Sequence, residues 1–136
     1  MIRLATREDV GEIARLIALQ GFEIDGTNVA AVWDAWQAEG NFALVIPGKN
    51  SLLGVITLHK MTVLHRPKPV GRITSLGVDP IAQGQGYGRA LVEAAENILH
   101  HGGCEIVEVT SHERRQDAQD FYRHLGFKQT SFRFAR

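Results

Sequence analysis

Apolar positions recur along this chain with two periods, one near two residues and one near 3.6, and the chain switches between them repeatedly. Ile2 and Leu4 flank Arg3 in a short strand. Thr6 and Asp9 read as a variant capping box opening a helix whose buried stripe is Val10, Ile13, Leu16 and Ile17, and which Gly21 ends. A loop over 22–28 carries Glu23 and Asp25. Thr27 or Asn28 caps a second helix, 29–38, with Val32, Trp33 and Trp36 on one side and Gly40 beyond its end. An apolar strand over 42–46, the turn Pro47-Gly48-Lys49-Asn50 and a long strand over 52–64 form a hairpin, with Gly54 the expected bulge. Prolines make 65–69 a loop. A strand over 73–78 precedes a third helix, 89–100, which turns Leu91, Val92, Ala95 and Leu99 inward and stops at Gly102-Gly103. A strand over 106–110, a helix over 116–125 and a terminal strand over 127–134, where Phe132 and Phe134 alternate with Arg133, complete the chain. This order, β-α-α-β-β-β-α-β-α-β, predicts one α/β domain over residues 1–136, a single sheet with helices on its faces.

Between the fourth strand and the third helix lies Asp79-Pro80-Ile81-Ala82-Gln83-Gly84-Gln85-Gly86-Tyr87-Gly88-Arg89. A strand, a turn with three alternating glycines and a helix start make an anion cradle. The first N–H groups of a helix have no partner within it, and its dipole adds positive charge there. Glycines let the backbone approach a phosphate. Spacing separates the ligands that use such turns. The one Gly-Lys pair, Gly48-Lys49, is followed by Asn50, so no P-loop is present. The dinucleotide fingerprint G-x-G-x-x-G fails from Gly84, where Arg89 takes the third glycine's place, and from Gly86, where Leu91 does.

The segment Gln83-Gly84-Gln85-Gly86-Tyr87-Gly88 fits [Q/R]-x-x-G-x-[G/A], and Ala118-Gln119-Asp120-Phe121-Tyr122-Arg123-His124-Leu125-Gly126-Phe127 fits A-x-x-[F/L]-Y-x-x-x-G-F. Together, and in this order, they resemble the acyl-CoA-binding motif and the segment after the fifth strand in the GNAT superfamily of N-acetyltransferases. The resemblance runs from about Ile73 to Phe127; before that only the pattern of elements agrees. It implies a mixed, splayed central sheet of six or seven strands flanked by about four helices.

The resemblance also implies roles. Gly84, Gly86, Gly88 and their neighbours Gln85, Tyr87 and Arg89 would hold the pyrophosphate of acetyl-CoA, the acyl-donor co-substrate, with Gln83 a phosphate or loop-bracing contact. Leu76, Gly77 and Val78 match the splayed strand whose backbone pairs with the pantetheine arm. The N–H near Val78 would polarise the thioester carbonyl. Tyr122 matches the tyrosine that protonates the departing CoA thiolate. Arg115 stands where the family usually has an asparagine, and would reach a CoA phosphate. Several relatives carry an acid on the strand before the motif, but Arg72-Ile73-Thr74-Ser75 contains none. The base or acceptor-binding group is therefore sought among Glu23, Asp25, His112, Glu108 and His59, the first two suggesting a cationic acceptor.

Composition narrows the classes. Fifteen basic and fifteen acidic residues balance, which excludes a global pull toward nucleic acid or an anionic membrane. No apolar run approaches the ~20 residues of a membrane span, and residues 1–6 show no signal-peptide core, so a cytoplasmic protein is expected. A single cysteine, Cys104, excludes an intramolecular disulfide and a cysteine-based metal site. No H-E-x-x-H or H-x-x-x-H occurs among six histidines, so no metal is expected. The expected activity is direct acetyl transfer to a primary amine of a small molecule, peptide or protein, with a homodimer compatible. The alternative is a non-catalytic acyl-CoA sensor on the same fold.

Overall fold

The computed structural model describes residues 1–111 and 114–136. Its elements are β1 (Arg3–Leu4), α1 (Val10–Ala18), α2 (Gly26–Ala38), β2 (Asn41–Pro47), β3 (Leu52–Met61), β4 (Val70–Val78), α3 (Tyr87–His101), β5 (Ile106–Val109) and α4 (Gln116–His124). The five strands lie in sequence order. β1 to β4 are antiparallel neighbours, and β5 joins β4 in parallel through the α3 crossover.

Strand alternation divides the core between the two faces. Leu44, Ile46, Ile56, Leu58 and Ile73 meet Leu91, Val92, Ala95 and Leu99 of α3. On the other face Ala43, Val45, Leu52 and Val55 pack with Ile13 and Leu16 of α1 and Trp33 of α2. The four expected inward residues of α3 are each at most 1% exposed. At the start of the chain, Asp9 accepts from the Thr6 N–H at 2.8 Å, so the capping box forms as expected.

Several expectations need correction. The second helix starts at Gly26 and is capped by Asp25 rather than Thr27 or Asn28: Asp25 Oδ1 accepts from the Asn28 N–H at 3.0 Å, and Asn28 Oδ1 from the Asp25 N–H at 2.9 Å. Trp33 is buried but Val32 is 57% exposed, because the longer helix turns Val32 outward. β3 ends at Met61, and its register slips beside Gly54, where a bulge was expected: Ile46 faces Gly54 and Pro47 faces Leu52, so Leu53 is the extra residue. Gly54 itself sits under Leu91, whose Cδ1 would lie 3.0 Å from an added Cβ.

A second bulge is in β4. Thr57 faces Ser75 and Leu58 faces Ile73, so Thr74 is the extra residue. The insertion switches the parity of the strand. Gly71 and Ile73 face α3 before it; Leu76 and Val78 face that side after it, while Gly77 faces α1.

Six or seven strands were expected, and among the described residues the sheet has five. No strand forms over 127–136. Phe132 and Phe134 are 82% and 92% exposed: their alternation has no facing apolar surface to bury against.

Candidate active site

β4 and β5 are in register from Val70–Ile106 to Ile73–Val109. Beyond that pair, at the Thr74 bulge, they part. The opening is a cleft of about 570 Å³ with Thr74, Ser75, Leu76 and Val78 on one wall and Val109, Thr110 and Ser111 on the other. Among the described residues the β5-side N–H and C=O groups of β4 after Ile73 have no strand partner, so an extended ligand arm can pair with them as a strand would.

One end of the cleft is the glycine turn, with Gln83, Gly84, Gly86, Tyr87, Gly88 and Arg89 on its lining. Gly84 and Gly86 have φ of +80° and +82°, in the left-handed region that disfavours a Cβ. Neither has an atom within 4 Å of where a Cβ would stand, so these backbones lie bare. Gly86 is the N-cap of α3, which begins two residues before the expected start, and the N–H groups of its first turn open here. Gly88 approaches Phe121, 3.3 Å from the position of an added Cβ.

The turn is held from outside the motif. Arg15 of α1 donates to Asp79 at 2.7 Å, to Glu12 at 2.8 and 3.1 Å and to the Leu52 carbonyl at 3.1 Å. Glu12 accepts from the Leu52 N–H at 2.9 Å, and Asp79 caps the turn by accepting from the Ile81 N–H at 3.0 Å. The Ile81 N–H and the Arg15 guanidinium hold the Asp79 carboxyl below its usual range. Hydrogen bonds from Arg15 and Leu52 likewise lower Glu12. Gln83 Nε2 donates to the Val78 carbonyl at 3.3 Å, so this side chain braces the turn.

Tyr122 projects from α4 into the cleft lining. It is 9% exposed and edge-on to Phe121 and Phe127, at centroid separations of 5.2 and 5.7 Å. Burial pushes its phenol up to about 12, the nearby charge of Arg115 pulling weakly the other way. The phenol therefore keeps its proton at neutral pH. Arg115 also lines the cleft and donates to Asp117 at 3.3 Å. Arg89 pairs with Glu93 along the outer face of α3 at 3.2 Å.

The remaining sequence candidates are placed elsewhere. Gly77 and Gln85 are not among the lining residues. Gly77 packs under α1, where a Cβ would meet Gln20 Nε2 at 2.9 Å and the Leu16 carbonyl at 3.1 Å. Glu23 is exposed and Asp25 is occupied as the α2 cap; neither lines the cleft. Glu108 receives the Arg72 guanidinium, one bond being 2.8 Å, and His59 bonds the Glu39 carbonyl at 3.1 Å. His112 lies outside the described residues.

The sequence reading missed Gln20, Phe22 and a hydroxyl trio. Gln20 and Phe22, just past α1, line the cleft from the α1 side. Thr57 Oγ1 bonds Thr74 Oγ1 at 2.7 Å and also bonds the Ser75 hydroxyl. The broken apolar spacing Ile73, Leu76, Val78 was the one available signal for the bulge that gathers these hydroxyls. Among the described residues no group of His, Cys, Asp and Glu has metal-site geometry, and no helix is long and apolar enough to cross a membrane.

Known proteins agree with this architecture. The chain is 32% identical to the aminoalkylphosphonate N-acetyltransferase of Salmonella typhimurium over 137 aligned residues, 99% of this chain and 89% of the relative. A shorter stretch of 57 residues is 44% identical to part of the mycothiol acetyltransferase of Beutenbergia cavernae, covering 42% of this chain and 19% of that one. Among solved structures, a Trypanosoma brucei acetyltransferase superposes with a TM-score of 0.85 at 23% identity, covering 100% of this chain and 97% of the other. An aminoglycoside acetyltransferase from an uncultured soil metagenomic sample does so at 0.81 and 22% identity, covering 100% and 94%. At these identities the two structures speak for the fold alone. A sequence model of the acetyltransferase (GNAT) family matches residues 8–127, nearly the whole of the domain built above, and the chain belongs to that family.

Proposed function

We propose that the protein is an N-acetyltransferase that moves an acetyl group from acetyl-CoA to the primary amine of a small molecule, by direct attack in a ternary complex. The observation that carries this reading is the parting of β4 from β5 at Thr74, with a bare, positive-φ glycine turn at one end and a protonated phenol on the wall. The curated relative acts, by its name, on aminoalkylphosphonates, which are small primary amines.

Each part of the cleft has a task in this mechanism. The pyrophosphate rests on the N–H groups around Gly84, Gly86 and Gly88, where the α3 dipole favours negative charge. The pantetheine arm pairs with the free edge of Leu76–Val78. An N–H of that edge polarises the thioester carbonyl and stabilises the oxyanion. The amine nitrogen attacks the carbonyl carbon, a C–N bond forms, and the C–S bond breaks with its electron pair going to sulfur. The nitrogen sheds one proton to solvent through the open side of the cleft, and sulfur gains one. A phenol at about 12 is a weaker acid than a thiol near ~8.5. Tyr122 therefore acts by donating a hydrogen bond to the developing thiolate, and a proton it passes to sulfur must be restored to the phenol from solvent as the thiol leaves.

One observation favours the sensor reading: the only carboxylate lining the cleft among the described residues, Asp117, is already engaged by Arg115. Thiol release from acetyl-CoA over a panel of amines decides between them. The transferase reading expects amine-dependent release that Tyr122→Phe slows. Binding of acetyl-CoA with no amine acylated, and no effect of Tyr122→Phe, establishes the sensor.

A further inference from the structure

Past Thr74 the only strand neighbour of β4 among the described residues is β3. The far end of that free edge is fixed. The Asp79 N–H donates to the Leu53 carbonyl at 2.8 Å, and Arg15 holds the Asp79 carboxylate at 2.7 Å. The near end is the bulge, where the extra residue interrupts the β3 ladder just as β5 leaves. A one-residue slip there would reverse every side chain and every lateral N–H that follows.

One oxygen closes this point. Thr57, opposite Ser75 on β3, is 7% exposed. Its Oγ1 bonds Thr74 Oγ1 at 2.7 Å and the Ser75 hydroxyl as well. A hydroxyl has one proton and two lone pairs, enough for both bonds whichever partner donates. Both residues of the bulge are thereby tied to a single atom of the neighbouring strand, on a β-branched side chain whose χ1 is stiff. The rest of the surroundings ask for an apolar residue: Ala43 is the other cross-strand neighbour of Thr57, and Val55 lies on the same face of β3. Thr74 and Ser75 line the cleft while Thr57 does not, so the clamp reaches the cleft through its partners.

We propose that Thr57 is a positioning residue for the acyl donor. By clamping Thr74 and Ser75 it fixes the bulge, so that the Leu76–Val78 edge meets the pantetheine arm in one register with an N–H aimed at the thioester. This rests on the transferase reading's placement of acetyl-CoA and adds the residue that aims it. Thr57 touches neither donor nor acceptor.

The test measures the binding of acetyl-CoA, and of phosphoadenosine diphosphate, the part of it that lacks the arm, by calorimetry on wild type, Thr57→Val and Thr57→Ser. Thiol release with an amine present is followed alongside. Thr57→Val keeps the shape and removes the oxygen. It should weaken acetyl-CoA binding about five- to tenfold, two cross-strand hydroxyl bonds being lost, and leave phosphoadenosine diphosphate within about twofold, since that fragment needs only the glycine turn. Its kcat should fall about tenfold, because a thioester misplaced by a fraction of an ångström reacts poorly. Thr57→Ser restores the oxygen and should return both quantities to within about threefold of wild type. A merely looser fold would weaken both ligands alike, and that result overturns the inference. So does an unchanged acetyl-CoA affinity, an unchanged kcat, or a Thr57→Ser protein as impaired as Thr57→Val. If Thr57→Val does not fold, Thr57→Ala removes the same oxygen and is read in the same way. If acetyl-CoA binds but no amine is acylated, the transferase reading fails by itself and the calorimetry still decides the clamp. If wild type binds no acetyl-CoA, both fall together.

Discussion

Replacing Tyr122 by Phe removes one oxygen and little else. The phenol makes no hydrogen bond to the described residues, and the ring's edge-on contacts with Phe121 and Phe127, at 5.2 and 5.7 Å, are kept by phenylalanine. Stability should stay within about 0.5 kcal/mol of wild type. What is lost is a donor to a sulfur that becomes charged only as the C–S bond breaks. A hydrogen bond to a charged group contributes about 1.5–3 kcal/mol, which converts to roughly ten- to a hundredfold in kcat. The interaction is absent in the ground state, so the KM values for acetyl-CoA and amine should change by less than about threefold. Stopped thiol-release assays against a thermal melt separate the two effects. The pH profile adds an independent check. With its phenol pushed up to about 12 by burial, Tyr122 stays protonated through pH 10, so it contributes no falling limb below that pH. A Tyr122→Phe enzyme keeping more than about a third of wild-type kcat refutes the role. A falling limb near pH 9 in wild type that disappears in the variant refutes the protonation argument.

Three further outcomes follow from the same geometry. Gly86→Ala places a Cβ on a residue at φ +82°, which costs about 1–2 kcal/mol of backbone strain and crowds the phosphate approach; acetyl-CoA affinity by calorimetry should fall more than the melting temperature suggests. Arg15→Met removes the guanidinium shared by Glu12, Asp79 and Leu52 while keeping much of the stem's packing, and should weaken acetyl-CoA binding through a loosened turn, with amide exchange at Ile81 and Ala82 faster than in wild type. Asp9 accepts from Arg3 and Thr6 and its carboxyl is held low chiefly by the Arg3 hydrogen bond, so its stabilisation is complete above about pH 4 and disappears as pH falls through the depressed value; Asp9→Asn should cost about 1–3 kcal/mol at pH 7 and nothing at the acid end of a melting series.

Where the sequence spoke locally, the structure agrees. The capping box at Thr6, the α3 stripe from Leu91 to Leu99 and the positive-φ turn at Gly84 and Gly86 each depend on residues within a few positions of one another. Where the sequence failed, the deciding partner was distant. Phe132 and Phe134 alternate as a strand does, but alternation makes a strand only where another strand and an apolar face receive it. Asp25 is the exception, a local miss: it reads as a free acid although Asn28, only three positions on, closes a reciprocal cap with it. Gln20 is unremarkable just past the end of an amphipathic helix, and its packing over Gly77, more than fifty residues later in the chain, shows only in the fold. The bulge at Thr74 was the most legible of the missed features, since Ile73, Leu76 and Val78 cannot share a face of an unbroken strand.

The hold of Arg15 on Asp79 makes the two halves of this chain inseparable. A fragment beginning near residue 70 would retain each recognisable motif residue, yet its anion seat would have lost the tether that sets its height above the sheet. Grafting a different first helix to change acceptor choice would succeed only if the graft carried Glu12 and Arg15 with it.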